Sequence, residues 1–440
     1  MNILLIMADQ FSAHALERSR STDAHFNTPH LDRLAAASTY FSQAYTPFPL
    51  CVPARSSMVT GKYPHQLGVM SNAGLGTSAG AVPMIEPGHG PESLGHWFTS
   101  AGYDCAYAGK WHALQASATE GDGFAPIHPF GDDGLVEACT QWLSGRPATR
   151  PFLLVASFDD PHTICEFARS QPLPYGNVPT VPVGSAPPLP ANFPPAPYAP
   201  SALTAEADAS PRVYGTGDYT ADDWRAYRAA YAALVARVDK HIGRLLDAID
   251  LAETAVVFVS DHGDGDASHG WNQKTALYQE CIRVPLLVHV PGQSSATVDT
   301  PVDGVLALLP TLCQMAGIAT PSGLPCRSVL EAQPETVVVA TLFDSGTKPR
   351  TTGRALIKGR YKYTVYSWGK HREQLHDLDD DPGEQRNLAV EDSSAALLEE
   401  LRGELYRWAV EHGDADFLKK LVLPASAPAR AHSDIFVIPY

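Results

Sequence analysis

The chain has 440 residues, 44% of them hydrophobic, and a formal net charge of −16, enough for a large buried core in one large domain plus a smaller one. That acidity argues against general nucleic-acid binding, which needs basic patches, and against a long polyanion as substrate unless a local basic pocket takes its end. Seven scattered cysteines, no basic leader region and no apolar run of membrane-spanning length lead to the expectation of a reduced, cytoplasmic protein with no membrane contact.

Residues 2–8 are a continuous apolar run, the pattern of a strand buried on both faces, and Asp9 and Gln10 end it. In open α/β sheets the carboxyl ends of strands carry the ligands, which makes Asp9 a metal-ligand candidate; the plain alternative is a turn carboxylate. Residues 28–34 read as a cap and a short helix. The stretch 46–65, TPFPLCVPARSSMVTGKYPH, carries the densest signal. Pro47 and Pro49 keep the approach extended, Pro53 suits the first turn of a helix, residues 54–60 continue it and Gly61 stops it. Cys51 then stands at a helix N-terminus, where free N–H groups and the positive dipole end favour an anion, and Arg55 adds a fixed charge one turn on. A cysteine facing such a site is a nucleophile or the precursor of one; the bland alternative is a packed thiol.

Residues 69–92 are Gly-, Ser- and Pro-rich and read as loop, 92–101 as a helix and 103–108 as a strand. Gly109-Lys110-Trp111-His112 follows, with alternation pointing Lys110 and His112 the same way, a pair suited to anion binding and proton transfer. Alone they would be a solvated lysine and a packed histidine. Residues 151–158 are a second buried strand, delivering Asp159, Asp160 and His162; the aspartates are read as turn or substrate-facing groups. Twelve of the 41 residues from 171 to 211 are proline, which excludes regular helix and makes a central strand improbable. Thr220 caps a long helix whose apolar positions, Tyr227 to Ile249, follow helical spacing. Residues 254–260 are a third buried strand, leading to Asp261-His262-Gly263-Asp264 and on to Lys274. Residues 303–317 read as a helix. Beyond about residue 333 the runs 337–342, 355–358, 361–366 and 373–377 read as short antiparallel strands, the acidic run that follows as a solvated turn, and 393–411 as the final helix; residues 422–440 have no assignment.

These motifs together resemble the type I sulfatases, formylglycine-dependent enzymes of the alkaline-phosphatase-like superfamily. Cys51, Pro53, Arg55, Thr60 and Gly61 match that family's Cys-x-Pro-x-Arg signature and its Thr-Gly turn; Gly-Lys-Trp-His, Pro161-His162 and the segment from Asp261 to Val288 match its other motifs. The resemblance covers roughly residues 1–390. It implies an α/β fold with a mostly parallel central sheet flanked by helices, a catalytic domain over 1–332 and a C-terminal subdomain over 333–440 with a small antiparallel sheet. It also implies that a formylglycine-generating maturation enzyme oxidises Cys51, that Asp9, Gln10, Asp261 and His262 hold one divalent metal, and that Arg55, Lys110, His112, His162 and Lys274 complete the catalytic set. In the implied reaction the hydrated formylglycine attacks sulfur, Arg55, Lys110 and Lys274 offset the charge on the sulfate oxygens, His162 or Lys274 protonates the leaving alcohol, and His112 serves the second hydroxyl.

Gln10 and His262 depart from the Asp-Asp and Asp-Asn pairs of many sulfatases and look like those of choline sulfatases and phosphonate monoester hydrolases. A mostly oxygen donor set favours Ca²⁺, and the imidazole keeps Mn²⁺ and Mg²⁺ open. The leading expectation is a sulfatase acting on a small sulfate ester, carbohydrate or other; the second is a phosphonate monoester or phosphodiester hydrolase on the same scaffold. A non-catalytic binding protein is disfavoured by the intact catalytic set.

Overall fold

The computed structural model describes residues 1–20, 25–72, 93–113, 120–343 and 350–428. Most of the Gly-rich stretch 69–92 and the tail from 429 on lie outside the described residues.

The central sheet is built from β1 (Asn2–Asp9), β2 (Thr39–Phe41), β3 (Asp104–Gly109), β4 (Ala125–His128), β5 (Phe152–Pro161), β6 (Thr254–Ser260), β7 (Leu286–His289) and β8 (Ala296–Val298). Their order is β4-β3-β5-β1-β6-β7-β2-β8. β1 pairs in parallel with both β5 and β6, and β3 joins β5 in parallel; only β7 runs against its neighbours. The three continuous apolar runs of the sequence are therefore the three adjacent central strands. Alternate residues of β1 enter two separate cores: Leu4, Ile6 and Ala8 face the long helix Ala221–Leu246, while Ile3, Leu5 and Met7 face the layer that includes Met58, Val59 and the helix Leu308–Ala316. A strand covered on both faces has no polar side to show, which is why its sequence does not alternate.

The second sheet is antiparallel, β9 (Thr336–Phe343), β10 (Thr351–Lys358), β11 (Tyr361–Tyr366) and β12 (Glu373–Asp377), in that order. One face receives Leu398, Leu401 and Leu405 of the helix Ala395–Glu411. β9 also reaches the approach to Cys51: Ala340 N donates to Pro47 O (2.8 Å), and Ala340 and Leu342 pack on Phe48 and Leu50.

Three local expectations need correction. The segment 171–211 does contain helix, Ser201–Ala209, because its prolines stop at Pro200 and ten proline-free residues follow. The long helix ends at Leu246, so Ile249 lies beyond it. Ala395–Glu411 is followed by one more short helix, Ala415–Leu418, whose Phe417 is buried. Among the described residues no helix is long and apolar enough to cross a membrane.

Candidate active site

Because β1, β3, β5 and β6 are parallel, their carboxyl ends share one edge, and the residues just past them converge. The helix Cys51–Thr60 brings the nucleophile candidate to the same edge. Cys51 is its first residue, after an extended Leu50 (φ −157°), and Gly61 ends it in the left-handed region (φ 66°), where a residue without Cβ is unstrained. The helix begins three residues before the expected start, yet all ten of its residues are buried, so it is a core element and not a surface helix.

Asp9, Cys51, Asp261 and His262 are fully buried, with one potential ligand atom from each lying within 4.8 Å of all the others. Cys51 Sγ lies 3.2 Å from His262 Nε2, accepts from Lys274 Nζ at 3.1 Å and is 3.7 Å from Asp9 Oδ1. His262 Nδ1 is 3.0 Å from Gly263 O; since a carbonyl only accepts, Nδ1 carries a proton, and Nε2 is the nitrogen turned to the cluster, the one a metal would take in place of a proton. Gly263 also lets the chain pack against Glu280, since a Cβ there would stand 1.9 Å from Glu280 O. Gln10 joins through its side-chain oxygen, which accepts from Lys274 Nζ at 3.1 Å. Two carboxylates and an imidazole gathered together, with the Gln10 amide oxygen linked to them through Lys274, are a fitting donor set for a divalent cation.

Arg55 is fully buried and spends its donors inside the protein. Nε donates to Asp261 Oδ2 (2.6 Å), Nη2 to Asp9 Oδ2 (3.1 Å), and Nη1 to Lys110 O (2.8 Å) and Ser157 Oγ (2.9 Å). It braces the two carboxylates Asp9 and Asp261 with donors that the family signature implies for a sulfate. Lys110 Nζ bridges Asp9 Oδ2 (2.9 Å) and Asp159 Oδ1 (2.8 Å). Asp159, read from sequence as a turn or substrate-facing group, is therefore the lysine's counter-ion, and Tyr175 of the proline-rich excursion donates to its other oxygen at 3.1 Å.

The electrostatics follow from this crowding. Burial pushes the Asp9 carboxyl up, but Lys110, His162, Arg55 and Lys274 together hold it well below the usual carboxylate range. Burial and the neighbouring Asp9 charge push Asp261 up. Burial also opposes ionisation of Cys51, as does Asp9, yet Lys274, His262 and Lys110 outweigh both and hold the thiol well below its ordinary value. The chain thus gathers positive charge on position 51, which suits an anionic ligand beside it.

Beside the cluster opens a cavity of about 410 Å³, lined by Lys110, Trp111, His112, Phe130 and His162 among others. Lys110 and His112 share it, but so does Trp111 between them: the strand ends at Gly109 (φ 88°) and His112 is itself left-handed (φ 45°), so the expected alternation does not set their directions. His112 Nδ1 has no hydrogen-bond partner among the described residues. Phe130 is 63% exposed and turns its ring face toward Lys110 Nζ, 5.6 Å from the centroid. Sequence reasoning did not single out Phe130; its Pro-Phe-Gly setting after β4 reads as an ordinary turn.

The sulfatase family pattern matches residues 1–318, and that of the N-sulphoglucosamine sulphohydrolase C-terminal region matches residues 267–411. The chain is 30% identical to the Delta 4,5-hexuronate-2-O-sulfatase of Bacteroides thetaiotaomicron, covering 98% of this chain and 93% of the relative. It is 28% identical to an ulvan-active sulfatase of Formosa agariphila, over 94% and 82% of the two chains. The solved structure of a 2-O GAG sulfatase superposes with a TM-score of 0.80 at 28% identity, over 98% and 95% of the two chains. A family match that spans all three central strands and the position-51 helix, on a fold whose strand ends converge at that helix, establishes that this chain belongs to the type I sulfatase family and is a sulfuric ester hydrolase.

Proposed function

We propose that the protein hydrolyses an O-sulfate ester on a single sugar residue, with Cys51 matured to formylglycine by a formylglycine-generating enzyme and with Ca²⁺ held by Asp9, Gln10, Asp261 and His262. The observation that carries the reading is the gathering of Asp9, Cys51, Asp261 and His262 within 4.8 Å, with Lys110 and Lys274 alongside. The formylglycine supplies the oxygen nucleophile, and the cation polarises the sulfate ester when bound.

The chain's own residues do the rest. An ammonium has three donors. Lys110 uses two on Asp9 and Asp159, and Lys274 uses two on Gln10 and position 51, which leaves each one N–H for a sulfate oxygen. Both are held in place by buried partners, so little reorganisation is needed as charge develops. His162, which lines the cavity, or Lys274 gives the proton to the leaving alcohol, and His112, whose Nδ1 has no partner among the described residues, holds a proton during sulfate release. The cavity's size suits one sugar ring, and the relatives named for hexuronate and GAG 2-O-sulfates support a sugar as the alcohol.

Steady-state turnover on a panel of 2-O-sulfated uronides, N-acetylglucosamine 6-sulfate, aryl sulfates and phosphodiesters tests this. The highest kcat/KM is expected on a sulfated sugar. A phosphodiester or phosphonate ester turned over faster than every sulfate would overturn it in favour of the second reading drawn from the Gln10 and His262 variant.

A further inference from the structure

Gln10 stands where many sulfatases have a carboxylate, and an amide creates a problem that a carboxylate lacks. Its two ends are chemically different, and only the oxygen can serve a cation. Something must decide which end faces the centre.

We propose that Asp264 is the positioning residue that fixes the Gln10 amide with its oxygen turned into the metal centre. This rests on Gln10 being a metal ligand, as proposed above. Asp264 is fully buried, and its Oδ2 accepts from Gln10 Nε2 at 2.6 Å. On the opposite side Lys274 Nζ, which can only donate, faces Gln10 Oε1 at 3.1 Å. A carboxylate on one side and an ammonium on the other permit one orientation of the amide; the reverse would set oxygen against oxygen and N–H against N–H.

Asp264 is itself pinned as an acceptor. The backbone N–H of Asp266 donates to Oδ1 (2.8 Å), and the Tyr227 hydroxyl lies 3.1 and 2.9 Å from Oδ1 and Oδ2. Tyr231, one turn along the same helix, donates to Gln10 O (2.7 Å), and Gln10 N donates to Asp261 Oδ1 (3.1 Å). These contacts hold Gln10 in the left-handed region (φ 66°), a conformation that costs a side-chain-bearing residue and persists when its surroundings over-determine it. The long helix Ala221–Leu246, which reads from sequence as simple cover for the sheet, thus also sets the metal ligand through two tyrosines.

The test is Asp264→Asn. The Asp266 N–H requires an acceptor at Oδ1, so the asparagine oxygen must go there and its NH₂ must face Gln10 Nε2, donor against donor. Ca²⁺ is titrated calorimetrically into chelator-stripped mature enzyme. Asp264→Asn should weaken Ca²⁺ binding by roughly 10- to 100-fold, the usual effect of removing a partner that orients a ligand. Gln10→Glu combined with Asp264→Asn should recover most of the affinity, because a glutamate can accept from the asparagine NH₂. Wild-type affinity in Asp264→Asn, or no recovery in the double variant, would overturn the positioning role. Unchanged affinity in Gln10→Ala would instead overturn Gln10 as a ligand, and the proposal with it. Should Asp264→Asn not fold, Tyr227→Phe removes one hydroxyl from the same network and should weaken Ca²⁺ binding several-fold; no change there contradicts the proposal.

Discussion

The Arg55 guanidinium donates to Asp261 Oδ2 across 2.6 Å with both side chains fully buried, and the same fork reaches Asp9 Oδ2 at 3.1 Å. The arginine of the nucleophile motif is therefore tied to the two buried carboxylates, Asp9 and Asp261. Burying two like charges side by side is costly, and a planar fork that meets both offsets that cost.

Arg55→Ala should accordingly destabilise the fold by about 3–5 kcal/mol, the usual cost of leaving a buried charge without its partner. Denaturant unfolding in the presence of chelator reads this directly, without any metal contribution. Arg55→Lys, which keeps the charge and loses the fork, should fall between the two. A wild-type midpoint for Arg55→Ala would mean that the contacts carry no weight.

Phe130 presents an exposed ring face beside Lys110, a natural platform for the apolar face of a sugar. Phe130→Ala should raise KM for a sulfated sugar roughly fivefold, about 1 kcal/mol, with kcat nearly unchanged, and Phe130→Trp should keep the wild-type KM. An equal loss of kcat and kcat/KM in Phe130→Ala would place the ring's effect in the transition state instead.

How far the sequence could be read differs between strands, ligands and braces. The buried strands are legible because an apolar run of strand length with no polar alternation has few other uses; Asp9, His162 and Asp261-His262 end such runs, so their meeting at one sheet edge follows from the fold, while their roles rest on the family resemblance. Position 51 was legible from three prolines and an arginine in fixed spacing. The role of Arg55 was not, because spacing gives the residue type and not the direction of its donors. Asp159 reads as a turn or substrate-facing group and Asp264 carries no reading of its own, because their contacts, with Lys110 and Gln10, lie 49 and 254 residues away. Proline density taken over 171–211 as a whole hides the helix Ser201–Ala209, because the prolines pause there for ten residues.

Away from the active site, burial pushes the Asp303 carboxyl up to about 7, and its Oδ1 has no hydrogen-bond partner among the described residues. A carboxyl raised in the folded state holds a proton that the unfolded chain releases, so this group's contribution to stability falls as pH rises from the unfolded value near 3.8 through about 7. Asp303→Asn should therefore be more stable than wild type at about pH 8, by on the order of 2 kcal/mol, and the difference should shrink toward about pH 4. Thermal melts of both proteins across that range check the sign.

The account turns on position 51. A thiol there has no second oxygen with which to release sulfate, whereas the aldehyde hydrate has two on one carbon. The most direct test is peptide mass spectrometry of residues 47–55 from preparations made with and without the maturation enzyme, read beside turnover of a sulfated sugar. Activity should rise in proportion to the fraction carrying formylglycine at position 51, and Cys51→Ser should be nearly inactive while still binding Ca²⁺. Fully active enzyme that carries only unmodified Cys51 would contradict the account.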